Sequence, residues 1–220
     1  MQRKTPFAEG EQYHIYSRGV EKRKIFLNTK DYNRFMALLY IMNQNAPFRM
    51  DNFLQQNGNH LKNIFRETKK KPLVSILGYC LMPNHFHLIL YESKEGGISK
   101  FMGKFLTAYS MYFNTKYERS GSLFTHPFRS EHINNEPQYM YIFSYLHLNP
   151  ISLIDTDWKE NGIKNKKQIE EFLAKYQFSS YIDFINKKRE ESVILDFSLI
   201  PDYIKNAKFD LKIMYEARIP

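Results

Sequence analysis

A single cysteine, Cys80, stands in the whole sequence, which excludes an intrachain disulfide and any zinc cluster built on thiolates. A reducing compartment fits that scarcity. Long apolar runs are also missing: no stretch approaches the ~20 residues that cross a bilayer. Met1-Gln2-Arg3-Lys4 leads into polar sequence, where a secretion signal would turn apolar. The chain is therefore expected to be soluble and cytoplasmic, with no membrane partner. Acidic residues are the scarcer charged type, 23 Asp and Glu against 32 Lys and Arg, leaving a formal charge of +9. That balance suits a polyanion, although a solvated basic surface also accounts for excess lysine.

Aromatic residues are plentiful, with 16 Tyr and 18 Phe among 220 residues. Most of the Phe must fill a core, yet exposed rings among basic residues stack on unpaired bases. This length buries one sizeable core. We read a main domain over residues 1–155 and a helical extension over 156–220, where the composition shifts beyond Ile151.

Periodicity orders the main domain. Tyr13 to Arg18 alternates and stops at Gly19, the pattern of a strand and turn. Asn28 or Thr29 caps a helix reaching about Asn43, with Tyr32, Phe35, Met36, Leu39 and Met42 as its apolar stripe. Residues 46–71 read as a loop-rich insertion with room for one short helix, ending in the basic run Lys69-Lys70-Lys71. Leu73 to Leu81 and His85 to Tyr91 form two strand-like runs joined through Pro83-Asn84, residues suited to the centre of a tight turn. A helix over about Ser99 to Tyr117 follows Gly96-Gly97, then a short strand near Phe128 to Ile133. Asn135 caps a last helix with Pro137 in its first turn, ending before Asn149-Pro150. The order strand, helix, strand, strand, helix, strand predicts an α+β, ferredoxin-like sandwich: an antiparallel sheet with helices on one face and the last helix near the other.

Chemistry gathers on two of these elements. His85 and His87 lie two apart on a strand, so the pleat turns both imidazoles to one face and Phe86, Leu88 and Leu90 to the other. Two nitrogen donors on one face suit a metal, and equally a structural histidine pair. On the last helix Tyr145 and Asn149 are four residues apart and share a face. If that helix packs on the histidine face, the Asn149 oxygen completes a hard-cation site and Tyr145 points at a bound phosphodiester. A phenol of pKa ~10 is a poor nucleophile at neutral pH. A cation on the phosphate oxygens offsets charge as the tyrosine attacks.

Leu81-Met82-Pro83-Asn84-His85-Phe86-His87-Leu88-Ile89-Leu90 and Tyr145-Leu146-His147-Leu148-Asn149-Pro150 resemble the HUH motif and tyrosine helix of one-tyrosine HUH transposases, and among them the REP-associated tyrosine transposases. Tyr13 to Gly19, Gly97-Ile98-Ser99-Lys100-Phe101-Met102, Arg119-Ser120-Gly121-Ser122-Leu123-Phe124 and, more distantly, Tyr176 to Tyr181 are similar to further family segments. His126-Pro127 departs from the family, whose members often carry a Gly-Arg pair there. The resemblance implies a transposase that cleaves and rejoins single-stranded or hairpin DNA through a 5′-phosphotyrosine. It implies Tyr145 as nucleophile, His85, His87 and Asn149 as ligands of magnesium or manganese, and no requirement for ATP. Either a monomer or a homodimer is compatible with it.

Other residues have plainer readings. Tyr109, Tyr112, Tyr117 and Tyr141 suit packing with a wet hydroxyl, and His14 and His147 fall outside the expected metal site. Arg18, Lys100, Lys104 and Arg129 are candidate DNA contacts, though surface ion pairing accounts for each as well. Two other function classes fit parts of the pattern. One is a non-catalytic single-strand binder using aromatic stacking; the other is a metal-dependent nuclease with water as nucleophile. Neither gives the histidine pair and Tyr145 a joint purpose.

Overall fold

Alternation in the sequence becomes a four-stranded antiparallel sheet in the computed structural model, which describes residues 6–205 apart from 69, 70, 126, 127, 186 and 187. Its strands are β1 (Gln12–Arg18), β2 (Ser75–Met82), β3 (His85–Tyr91) and β4 (Arg129–Ile133). They lie in the order β2-β3-β1-β4. With helix α1 (Thr29–Ile41) between β1 and β2, and α3 (Gly97–Lys116) between β3 and β4, this is the expected ferredoxin-like arrangement. Pro83 and Asn84 make the β2–β3 turn. A register shift between Ile76 and Gly78 breaks the alternation, so that Ile76 and Tyr79, three residues apart, share one face and Leu77 and Cys80 the other.

Local chemistry sets the helix starts. Asn28 accepts from the Lys30 amide at 3.0 Å while the Asp31 carboxylate accepts from the Asn28 amide at 3.3 Å, a capping box that begins α1. Glu92, fully buried, accepts from the Ile98 amide at 2.6 Å and so meets the start of α3. Both helices cover one face of the sheet, where Phe86 packs among Phe35, Phe105 and Phe124 with ring centroids 5.2, 6.3 and 5.9 Å away.

Residues 46–71 hold more regular structure than their polar composition predicts. They form α2 (Met50–Gln56) and a 3-10 helix (Leu61–Arg66), and bury Met50, Phe53, Ile64 and Phe65 in the main core. Their apolar residues come in short pairs with no sustained period, so only tertiary packing reveals them. Of the basic run, Lys69 and Lys70 lie outside the described residues.

The opposite face of the sheet receives α4 (Glu136–Leu148). Tyr139, Ile142, Phe143 and Leu146 of this helix pack on Leu77, Cys80, Met82 and Ile89 of the sheet. The chain beyond it continues through a 3-10 turn (Asn149–Leu153) and short helices α5 (Trp158–Asn161), α6 (Lys166–Leu173), α7 (Tyr181–Phe184) and α8 (Asp202–Lys205). Residues 176–180 run along the outer strand β2: the Leu81 amide donates to Phe178 O and the Ser180 amide to Tyr79 O, both at 2.9 Å. Among the described residues no helix is long and apolar enough to cross a membrane.

Candidate active site

On β3 the pleat places His85 and His87 side by side, ring centroids 5.0 Å apart, on the face that α4 covers. The Nδ1 of His85 is 2.6 Å from Asn84 Oδ1. The Nδ1 of His87 is 2.9 Å from His14 Nε2. With its proton on Nδ1, His87 donates to His14 and turns the lone pair of Nε2 into the site. That Nε2 is buried and makes no hydrogen bond, an arrangement that wants a ligand. Behind it, His14 Nδ1 lies 3.7 Å from Glu131 Oε2, while Glu131 Oε1 accepts from the Tyr16 hydroxyl at 2.9 Å. Glu131, His14 and His87 thus form a line from β4 through β1 to β3, in which the His14 contact orients the His87 ring.

Burial lowers the pKa of His85 to about 4, with Arg18 and Lys159 adding to the shift. Burial, helped by His14, His85, Lys159 and Arg18, also holds His87 well below the ordinary imidazole value. Both rings are therefore neutral at physiological pH and keep their lone pairs for a cation.

The second half of the site arrives with α4. Asn135 accepts from the Gln138 amide at 2.8 Å, and Pro137 sits in the first turn. Its apolar contacts fix the helix on the sheet, and this lays the Tyr145 ring edge-on to His87, centroids 5.4 Å apart at 88°. Asn149 keeps helical geometry at φ −53°, ψ −39°, so it stays on the Tyr145 face despite ending the helix. It is buried, and its Nδ2 has no hydrogen-bond partner. Burial raises the Tyr145 pKa; the Asn149 amide beside it opposes the rise, and Tyr141 adds to it.

His85, His87 and Tyr145 border a cleft of about 310 Å³ that Tyr16, Ser17, Arg18, Thr125 and Arg129 also line; Asn149 is not among its lining residues. Arg18 and Arg129 therefore meet the expected nucleophile. Thr125 holds the end of β1, its amide donating to Arg18 O at 2.9 Å. Lys100 and Lys104 do not reach the cleft. They stand on α3, Lys100 bonded to Asn45 and Lys104 to the carbonyls of Gln44 and Ala46, where they close the end of α1. A larger groove of about 960 Å³ runs along α3 and shares Thr125 with the cleft; among the described residues neither a histidine nor a tyrosine lines it.

Among the described residues no group of three or more His, Cys, Asp or Glu side chains is placed to hold a metal. A cation would have to use the His85 and His87 imidazoles with a neutral oxygen. The bare Nε2 of His87 fits that donor set; the Asn149 carbonyl oxygen is of the right type, while its unpartnered Nδ2 is a donor suited to an anionic oxygen. Sequence reasoning missed His14, Tyr16, Glu131 and Lys159. The alternation of β1 puts His14 and Tyr16 on one face, but their contact with His87 needs the β1–β3 register, in which Tyr16 opposes His87.

Residues 11–149 match the protein family described as transposase IS200 like, a span that contains both histidines, Tyr145 and Asn149. No curated protein matches the chain significantly. Among solved structures, that of a REP-associated tyrosine transposase bound to a REP hairpin aligns over 91% of this chain and 96% of its own, with a TM-score of 0.48 and 12% identity.

Proposed function

The chain belongs to the IS200-like transposase family, and we propose that it cleaves and rejoins single-stranded DNA with Tyr145 as nucleophile. The observation that carries this reading is the packing of α4: it brings a half-buried phenol edge-on to His87, a residue of the same cleft whose Nε2 has no partner.

In the proposed reaction the Tyr145 oxygen attacks a phosphodiester of the strand in the cleft. A bond forms from that oxygen to phosphorus and the bond from phosphorus to the 3′ oxygen breaks, leaving a 5′-phosphotyrosine and a 3′-hydroxyl. The phenolic proton leaves to solvent and the departing oxygen takes one up. Rejoining runs the same exchange backwards with another 3′-hydroxyl; one phosphate ester replaces another, so no nucleotide cofactor is needed. Arg18 and Arg129 hold the strand by its phosphates. Asn149 supports the phenolate through its amide, and the half-buried setting of Tyr145 limits the access of competing water to the phosphotyrosine. A magnesium or manganese ion held by His85, His87 and Asn149 would withdraw charge from the reacting phosphate and orient it for in-line displacement.

The test uses single-stranded oligonucleotides that carry hairpins from the DNA flanking the gene, incubated with the protein and Mn²⁺. A covalent protein–DNA adduct stable to denaturation is expected, and Tyr145→Phe should lose it while still binding the oligonucleotide. An undiminished adduct in that variant refutes the nucleophile. Strand cleavage without any adduct would assign water to the role instead.

A further inference from the structure

The extension beyond α4 sends one cation into the neighbourhood of the reactive tyrosine. Trp158 is fully buried in a cluster with Leu148, Ile151, Ile169, Leu173 and Tyr181, and its Nε1 donates to Ser152 Oγ at 3.0 Å. So firm an anchor fixes the backbone of the next residue, Lys159. The Lys159 Nζ lies over the face of the Tyr145 ring, 5.0 Å from its centroid. Arg18 from β1, Arg129 from β4 and Lys159 from α5 therefore come to one site from three separate parts of the chain.

Three cations gathered at one site repel one another, whereas a DNA phosphate arriving between them is attracted to all three. During attack the phosphate passes through a state of higher negative charge next to the Tyr145 oxygen, where a fixed cation stabilises it most. The family match stops at residue 149, so this cation comes from outside the shared region.

We propose that Lys159 is a phosphate-binding residue of the reaction centre: its ammonium contacts the phosphodiester that Tyr145 attacks. This rests on the strand-transfer reading above. It also gives the C-terminal extension a chemical task besides packing on the sheet.

Two measurements test it on the full-length chain. The first is the single-turnover rate of adduct formation with a saturating hairpin oligonucleotide and Mn²⁺, for wild type, Lys159→Gln and Lys159→Arg. The Gln variant should react about tenfold more slowly or worse, and the Arg variant should recover most of the rate. The second is the salt dependence of binding to the same oligonucleotide in a Tyr145→Phe background, which excludes turnover. There Lys159→Gln should make the slope of log K against log salt shallower by about 0.7, the loss of one neutralised phosphate on a single strand. A Gln variant that reacts at the wild-type rate, an Arg variant as slow as Gln, or an unchanged salt slope overturns the proposal. A wild-type protein that forms no Tyr145-dependent adduct refutes the strand-transfer reading instead, and the salt slope still decides whether Lys159 binds a phosphate.

Discussion

On one face of β3, Phe86, Leu88 and Leu90 are fully buried against α1 and α3; on the other, His85 and His87 lie under α4. Both faces contain buried polar groups, and the two treat them differently. Asp31, on the α1 and α3 side, accepts from Lys116 at 2.6 Å, Tyr117 at 2.8 Å, Tyr112 at 3.0 Å and the Leu27 amide at 2.8 Å. On the α4 side, His87 Nε2 and Asn149 Nδ2 are buried with no partner. A satisfied buried polar group helps hold a fold together, whereas an unsatisfied one weakens it unless a ligand arrives. Asp31 is thus organised for stability, and the edge of the α4 face around His87 and Asn149 for binding.

That contrast breaks if the two faces respond alike to substitution. The largest effect on function is expected from replacing His85 and His87 together by Ala: adduct formation should vanish while thermal stability stays close to wild type, as read by a cleavage gel beside a melting curve. A large fall in melting temperature would mean that the pair is structural. Phe86→Ala, between those two residues, should do the opposite, costing about 3–5 kcal/mol of unfolding free energy in urea titrations. Next comes Asp31→Asn, which removes one charged partner and should cost about 2–3 kcal/mol. Burial by itself would raise the Asp31 pKa, but Lys116, the Leu27 amide and the two tyrosines outweigh it and leave it lowered. The folded state therefore binds its proton more weakly than the unfolded chain. Its contribution is intact above the ordinary carboxylate pKa and lost as pH falls through the depressed one. The Asn variant should show a flatter acid limb in the same titrations. The smallest effect is His14→Ala, which should leave the fold intact and weaken Mn²⁺ binding by about ten- to a hundredfold in calorimetry. An unchanged affinity would show that His14 does not orient His87.

Much of this arrangement was legible locally. Alternation around His85 and His87 assigned the two faces of β3, and the frame of Asn135, Pro137 and Asn149-Pro150 delimited α4 to within a residue or two. These signals work because strand and helix periods, caps and proline constraints act over a few neighbouring residues. His14 escaped for the opposite reason: its contact with His87 spans 73 residues and depends on the pairing register. The packing of residues 46–71 escaped because Met50, Phe53, Ile64 and Phe65 form no sustained stripe. Lys100 and Lys104 looked as suitable for phosphate as Arg18 and Arg129, since charge alone carries no direction; the sheet puts one pair at the cleft and α3 holds the other away from it.

By itself, then, the sequence determined the element order, the two-faced character of β3, and a helix with Tyr145 and Asn149 on one side, all consequences of short-range periodicity and capping. Only the tertiary structure decided that this helix covers the histidine face, that Glu131 and His14 stand behind His87, and that Trp158 anchors Lys159 above Tyr145. Those outcomes depend on register, on apolar packing between distant segments and on the path of the chain after Pro150, and no local pattern encodes them.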